Sequence, residues 1–423
     1  MAAGIAAYRQ VLADPRARAF SLAGLVARLP ISMTGIGTVL LVSLTSGSFG
    51  EAGLITAAAT VTGALSAPLW GRAIDRVGQA PVLVGASLVC VAGQVLLICS
   101  VLLGWGLAVS LVAAAVVGAG FSSAGSAVRA RWSHRLQGST LLDTGFAVEA
   151  VWDEVVFVIG PVLVTFLATA VHPALGLAVS AVLGLVGALA LAAQRDTEPP
   201  RSAGRRTAAS HGRLDPFLLV PLALASVALG AVFGGVEVVV VAFATETGVL
   251  PYTGAILMAW AAGSLVAGVV VGAVTWRRSP AARFRAGAVA LALSTLPMPF
   301  VREPLLMALL LVVSGMAIAP TMIASVAVTQ AGVPQSRLTE ALAYSSTGLA
   351  GGLAAGAAGL GQLIDRGGST LGFWGVVAAV VLLIISASCV RARPAVGPLA
   401  GTVEPRGETG PVGPPVVEPV HER

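Results

Sequence analysis

Apolar stretches of about 20 residues recur along the chain from Ala19 to Val390, broken by short polar or glycine-containing connections. Each is long enough to cross a bilayer as a helix, which needs about 20 apolar residues. Twelve can be drawn, over residues 19–44, 52–70, 82–103, 106–127, 142–169, 173–193, 216–244, 252–275, 284–301, 305–328, 340–363 and 371–390. The pattern predicts an all-α membrane protein with twelve transmembrane helices. Residues 195–215 are polar, with Pro199, Pro200 and five arginines, and separate six spans from six. They read as a linker between an N-terminal six-helix bundle (1–194) and a C-terminal six-helix bundle (216–393). Residues 394–423 are rich in Pro and Gly, have no apolar period and are expected to be a disordered tail.

Charge sharpens this picture. Only 10% of the residues are charged and 57% are hydrophobic, whereas soluble domains carry about 25% charge. Every basic side chain is an arginine. Counted over alternate connections, 22 arginines fall on one side, two (Arg302 and Arg366) on the other, and Arg28 lies within the first span. By the positive-inside rule both termini, the linker and the tail are cytoplasmic, in a multi-pass protein of the cell membrane. The net charge of +6 is thereby a topology signal, and nucleic acid is not expected as a partner. Residues 1–18 have no apolar h-region, so no cleaved signal is expected. Cys90, Cys99 and Cys389 all sit in apolar spans without metal-ligand spacing. They read as packing residues, and neither metal nor cofactor is expected. Gly230 and Gly234, Gly268 and Gly272, and Gly352 and Gly356 are each four apart, which lets helix backbones approach closely.

The fifth span carries Glu149, Asp153 and Glu154 within six residues. An ionised acid at mid-bilayer costs about 2.5–3.5 kcal/mol, so intramembrane acids face water, a cation or one another. Glu149 and Asp153 share a helix face, and Glu154 points about 100° away from Asp153. Carboxylates this close suit proton uptake and release. Glu149 has a plainer alternative role, anchoring the span to an arginine such as Arg131. Arg28 needs an anion if buried, and the span-five acids are the available partners; alternatively it snorkels to the cytoplasmic surface. Glu237 is the sole acid of the seventh span, after Gly234 and Gly235. Glu340 at the start of span eleven fits the helix dipole, and Arg129-Ala130-Arg131-Trp132 reads as an interfacial anchor.

One connection is more specific. Gly71-Arg72-Ala73-Ile74-Asp75-Arg76-Val77-Gly78, between spans two and three, resembles the G-x-x-x-D-R-x-G signature of the major facilitator superfamily. Gly71, Asp75, Arg76 and Gly78 match; Gln79-Ala80-Pro81 lacks the basic residues that follow in the family. A degenerate echo, Gly272 to Arg278, ends span eight with Trp276 where Asp75 would stand. The resemblance extends over residues 10–393 through topology and linker position.

It implies two similar bundles and alternating access. It implies further that Asp75 accepts hydrogen bonds near residues 339–341, at the start of span eleven, while Arg76 pairs with cytoplasmic acids, together forming a conformational latch. Gly160-Pro161 resembles the glycine-proline of the fifth-helix antiporter signature, with Val156, Val164 and Thr165 replacing the flanking glycines, and is expected to bend the helix. The resemblance places spans one and five side by side, and span seven at the cavity with Glu237 facing Arg28 or substrate. Arg28, Glu149, Asp153, Glu154 and Glu237 are therefore the substrate and proton-coupling candidates. The expected function is secondary active transport of a small molecule by a monomer in the lipid bilayer, as proton-coupled efflux of an amphipathic or cationic compound. Proton-coupled nutrient uptake is the alternative. An intramembrane enzyme is disfavoured because His134, His172, His211 and His421 all lie at or outside span ends. A receptor derived from a transporter fold is disfavoured by the intramembrane acids.

Overall fold

A computed structural model describes residues 2–121, 123–139, 141–200, 215–273, 276, 278–333 and 337–390, without the side chains of 2–7, 272, 273 and 339. Residues 201–214 of the linker and the tail at 394–423 lie outside the described residues. The α-helices are α1 (Ala2–Ala13), α2 (Pro15–Ser46), α3 (Phe49–Val77), α4 (Gln79–Leu102), α5 (Leu107–Ala119), α6 (Ala124–Arg135), α7 (Leu142–Ala170), α8 (Leu175–Ala193), α9 (Pro216–Glu246), α10 (Thr253–Ala273), α11 (Pro280–Thr295), α12 (Pro304–Gly332) and α13 (Leu338–Cys389).

Four of them start with one chemistry. Asp14, Asp215, Ser279 and Glu303 each precede a proline at the first helical position and accept an amide hydrogen bond, from Arg16, Phe217, Ala282 and Leu306 respectively. The side-chain oxygen satisfies an orphan donor, and proline gives up an N–H that the helix does not use.

Asp14 also pairs with Arg135 at the end of α6. Partial burial pushes its carboxyl up, but hydrogen bonds from Arg135 and the Arg16 amide outweigh this and hold it below the ordinary 3.8. A depressed folded value means the stabilisation is present above the unfolded value and is lost as pH falls through the folded one. Asp14→Ala is expected to lower stability by about 1 kcal/mol at neutral pH. Thermal unfolding at pH 7 and pH 3 checks this: the difference from the parent should shrink in acid.

Among the described residues, ten segments are long and apolar enough to cross a membrane. The span drawn at 106–127 covers α5 and the start of α6, and the apolar stretch runs on to Arg135, with Arg131 and Trp132 buried rather than interfacial. The span drawn at 284–301 yields only the 16 residues of α11, ended by Pro297 and Pro299 around a 3-10 turn at Met298–Phe300. The last two expected spans form α13, whose 52 residues are broken at Gly367 and Gly368. Gly368 has φ +69°, a left-handed conformation that favours glycine. There the helix reverses: a Cβ on Gly375 would fall 3.1 Å from Leu360 Cγ.

Helices α2–α8 pack mainly among themselves, as do α9–α13, and the two groups meet chiefly through α3 with α13 and α7 with α10. Glycines set the tightest approach. A Cβ on Gly230 or Gly234 of α9 would lie 2.1 or 2.0 Å from the Leu349 or Leu353 carbonyl oxygen, and one on Gly352 of α13 would lie 1.9 Å from that of Val227. Backbone cannot retreat as a flexible side chain can. Gly234→Val should therefore lower stability by about 1–3 kcal/mol, the range for overpacking, in detergent unfolding experiments; unchanged stability would remove this account of the interlock.

Candidate functional site

The charged residues of α2 and α7 come together in one network. Arg28, only 2% exposed, donates from Nη2 to Glu149 Oε2 at 2.5 Å, from Nη1 to Asp153 Oδ1 at 2.6 Å, and from Nε to the Gly24 carbonyl at 3.0 Å. Glu149 is fully buried, and its second oxygen accepts from Ser21 Oγ at 2.5 Å and from Trp132 Nε1 at 2.8 Å. Asp153 accepts from Arg129 Nη2 at 2.5 Å. Trp152 Nε1 donates to Ser21 Oγ at 3.0 Å, and Phe20 meets Trp132 edge-on at 4.8 Å. The spacing explains the geometry. Residues four apart share a helix face, so Glu149 and Asp153 present two carboxylates to one guanidinium.

Of the two roles open to Arg28, the structure takes the ion pair and not the surface. Glu149 does not anchor to Arg131. That guanidinium, fully buried, instead donates to Gln79 Oε1, to Thr197 Oγ1 and to the carbonyls of Leu191 and Gln194. Trp132 likewise faces Glu149 rather than headgroups. Sequence reasoning missed Ser21, Arg129 and Trp132 as members of this network. The signal available was the i, i+3 spacing of Arg129 and Trp132, which places both toward one side of α6.

Glu237 stands apart from that network. It does not meet Arg28; its Oε2 lies 2.9 Å from where a Cβ on Gly35 would be, at the contact of α9 with α2. Gly35 is seven residues beyond Arg28, two turns along the same face of α2. The Glu237 side chain is half-buried and makes no hydrogen bond or ion pair among the described residues. Glu154 is half-buried and unpartnered in the same sense. So all the buried positive charge of α2 is matched, while two carboxylates at depth are not.

Gly160 and Pro161 sit where α7 meets its neighbours. A Cβ on Gly160 would fall 1.9 Å from Ser32 Oγ of α2, and one on Gly254 of α10 would fall 2.4 Å from the Pro161 carbonyl oxygen. Ser32 Oγ donates to the Val156 carbonyl at 2.8 Å.

Among the described residues the close backbone approaches between the two helix groups lie toward one end, Gly53 against Ala357, Gly361 against Phe49 and Gly254 against Pro161. Buried residues of α3 stop at Ala59. Beyond it Leu65 and Leu69 are 70% and 60% exposed, as is Tyr344 at 52% on the facing part of α13. The open end is the one whose connections carry most of the arginines. Gly71, Asp75, Arg76 and Gly78 lie there. Gly78 takes φ +104° in the tight turn from α3 to α4. Asp75 and Arg76 are exposed and make no hydrogen bond or ion pair among the described residues, so neither half of the expected latch is engaged in this conformation.

Residues 20–335 match the family model described as Major Facilitator Superfamily. The chain belongs to that superfamily. Its fold agrees with solved transporters over nearly the whole length. The nucleoside transporter NupG superposes with a TM-score of 0.71 at 14% identity, covering 90% of this chain and 100% of that one. A bacterial homolog of the human lysosomal transporter Spinster, in an inward-facing and occupied conformation, gives 0.66 at 15% identity, over 90% and 96%. A bacterial metal transporter gives 0.66 at 13% identity, over 89% and 98%. No curated protein matches the chain. As a superfamily member with apolar helices that span the bilayer, the chain is a multi-pass membrane protein that carries out secondary transport.

Proposed function

We propose that this transporter exports a small amphipathic or cationic compound from the cell in exchange for protons. The observation that carries the reading is the unpartnered carboxylate of Glu237 between α9 and α2. An unpaired acid at mid-bilayer costs about 2.5–3.5 kcal/mol, and a cationic ligand or a proton removes that cost. The Arg28 network supports a cation over an anion, because each nitrogen of that guanidinium already donates to Glu149, Asp153 or the Gly24 carbonyl and its charge is matched by two carboxylates.

In this reading the chain crosses the cell membrane twelve times, α11 and the two arms of α13 each counting as a crossing. Both termini lie in the cytoplasm, and the open, arginine-rich end faces it. The bundles rock about the α3–α13 and α7–α10 contacts, and the fixed Arg28 network keeps α2, α6 and α7 moving as one body. Gly160-Pro161, which resembles the antiporter signature, supports export over import.

The test is reconstitution into vesicles carrying an internal pH dye, with tetraphenylphosphonium, ethidium, neutral sugars and nucleosides supplied in turn. The reading requires that an amphipathic cation drive proton movement in the opposite direction, abolished when the pH gradient is collapsed. Movement of sugars or nucleosides alone, or transport indifferent to the gradient, would overturn it.

A further inference from the structure

The superfamily signature at 71–78 has a second copy in this chain, at the other end of its partner helix. Gly361-Gln362-Leu363-Ile364-Asp365-Arg366-Gly367-Gly368 repeats Gly71-Arg72-Ala73-Ile74-Asp75-Arg76-Val77-Gly78 at the first glycine, Ile, Asp, Arg and last glycine. The first copy ends α3 at the arginine-rich end. The second ends the first arm of α13 at the closed end, where the chain breaks at Gly367 and Gly368.

The second copy is engaged. Asp365 accepts hydrogen bonds from Ser48 Oγ at 2.8 Å, from the Phe49 amide at 2.8 Å and from the Gly50 amide at 2.9 Å. Those amides open α3, so a carboxylate of the C-terminal group sits on the positive end of a helix of the N-terminal group. Glycine lets it approach: a Cβ on Gly50 would fall 2.7 Å from Asp365 Oδ2, one on Gly53 2.0 Å from the Ala357 carbonyl oxygen, and one on Gly361 2.3 Å from that of Phe49. These contacts define an antiparallel register, with 53 against 357 and 49 against 361. Closing the other end in the same register would bring Asp75 to within a turn or so of the start of α13. The helix pair thus carries one Asp near each end: Asp365 is bonded over the first turn of α3, whereas Asp75 is exposed and makes no hydrogen bond among the described residues.

We propose that Asp365 is a second latch, the counterpart of Asp75, and that the two carboxylates engage in alternate states of the cycle. Asp365 holds the end near Ser48 shut while the arginine-rich end is open; release of Asp365 and docking of Asp75 accompany the opposite state. Rocking of one bundle against the other opens one end as it closes the other, so the two carboxylates are seated in turn. The proposal rests on alternating access but not on the identity of the cargo.

Electron spin resonance distances in the full chain in lipid nanodiscs test it. Paired labels at Val171 and Leu305 report the closed end, and labels at His134 and Gln330 the arginine-rich end, in a background lacking Cys90, Cys99 and Cys389. Asp365→Asn should shift the ratio of the two states at least tenfold, lengthening the first distance and shortening the second. Ser48→Ala, which removes one donor, should shift it in the same direction by less, and Asp75→Asn should not shift it that way. Unchanged distributions in both Asp365→Asn and Ser48→Ala would overturn the latch. If Asp365→Asn does not fold, Ser48→Ala alone decides. The readout needs no substrate, so failure to find a transported cation leaves this result standing.

Discussion

Replacing Arg28 with Ala is expected to destabilise the protein by about 3–5 kcal/mol, the range for breaking a buried ion pair by removing one partner. The guanidinium is 2% exposed and serves both Glu149, fully buried, and Asp153. Without it, Glu149 keeps Ser21 and Trp132 as donors but loses its counter-charge. Asp153 keeps Arg129 at the more exposed edge, which limits the loss on that side. The penalty therefore falls on Glu149, and neutralising it should recover much of the deficit. Arg28→Met combined with Glu149→Gln should be more stable than Arg28→Met alone, a coupling readable as a double-mutant cycle in denaturation experiments. Arg28→Lys should fail to substitute, because one ammonium cannot present the planar fork that spans both carboxylates. Equal stability of Arg28→Met with and without Glu149→Gln would show that the pair is not energetically coupled.

The apolar spans were legible because the bilayer imposes a length and composition that local sequence must satisfy. The departures have local causes too. Prolines at 297 and 299 stop α11 early, and at Gly367–Gly368 the chain reverses between the last two expected spans with no polar loop between them. The candidate site was half legible. Two acids four apart in one span, and the single arginine inside another, announce a pairing by cost alone. What the sequence left open was which partner each would take. Arg131 and Trp132 looked interfacial because the apolar run before them ends; in the structure they turn inward. Arg131 is satisfied by carbonyls at the end of α8, which no spacing in α6 predicts. Asp365 was hidden for the opposite reason. A lone Asp-Arg in a turn looks like an ordinary solvated connection, and only its position over α3 gives it a role. Even so, the repeat of the eight-residue pattern stands in the sequence.

Glu237→Gln is expected to reduce pH-driven transport at least tenfold while leaving stability within about 1 kcal/mol of the parent. The contrast with Arg28 follows from partners. A carboxylate that makes no hydrogen bond or ion pair among the described residues holds little of the fold together, so an amide of the same shape removes charge and proton exchange without breaking a contact. Removing an unpaired charge from the bilayer interior can even add stability, since insertion of an acid there costs about 2.5–3.5 kcal/mol. Asp153→Asn should show the reverse pattern, losing stability through its bonds to Arg28 and Arg129. Glu154→Gln separates the two unpartnered acids: if proton coupling runs through Glu237 alone, this variant keeps the parent's pH profile. Vesicle flux across a range of external pH, set beside thermal unfolding of each variant, distinguishes these outcomes. A Glu237→Gln protein with parental flux and parental pH dependence would remove Glu237 from the mechanism, and the proposed proton exchange would need another carboxylate.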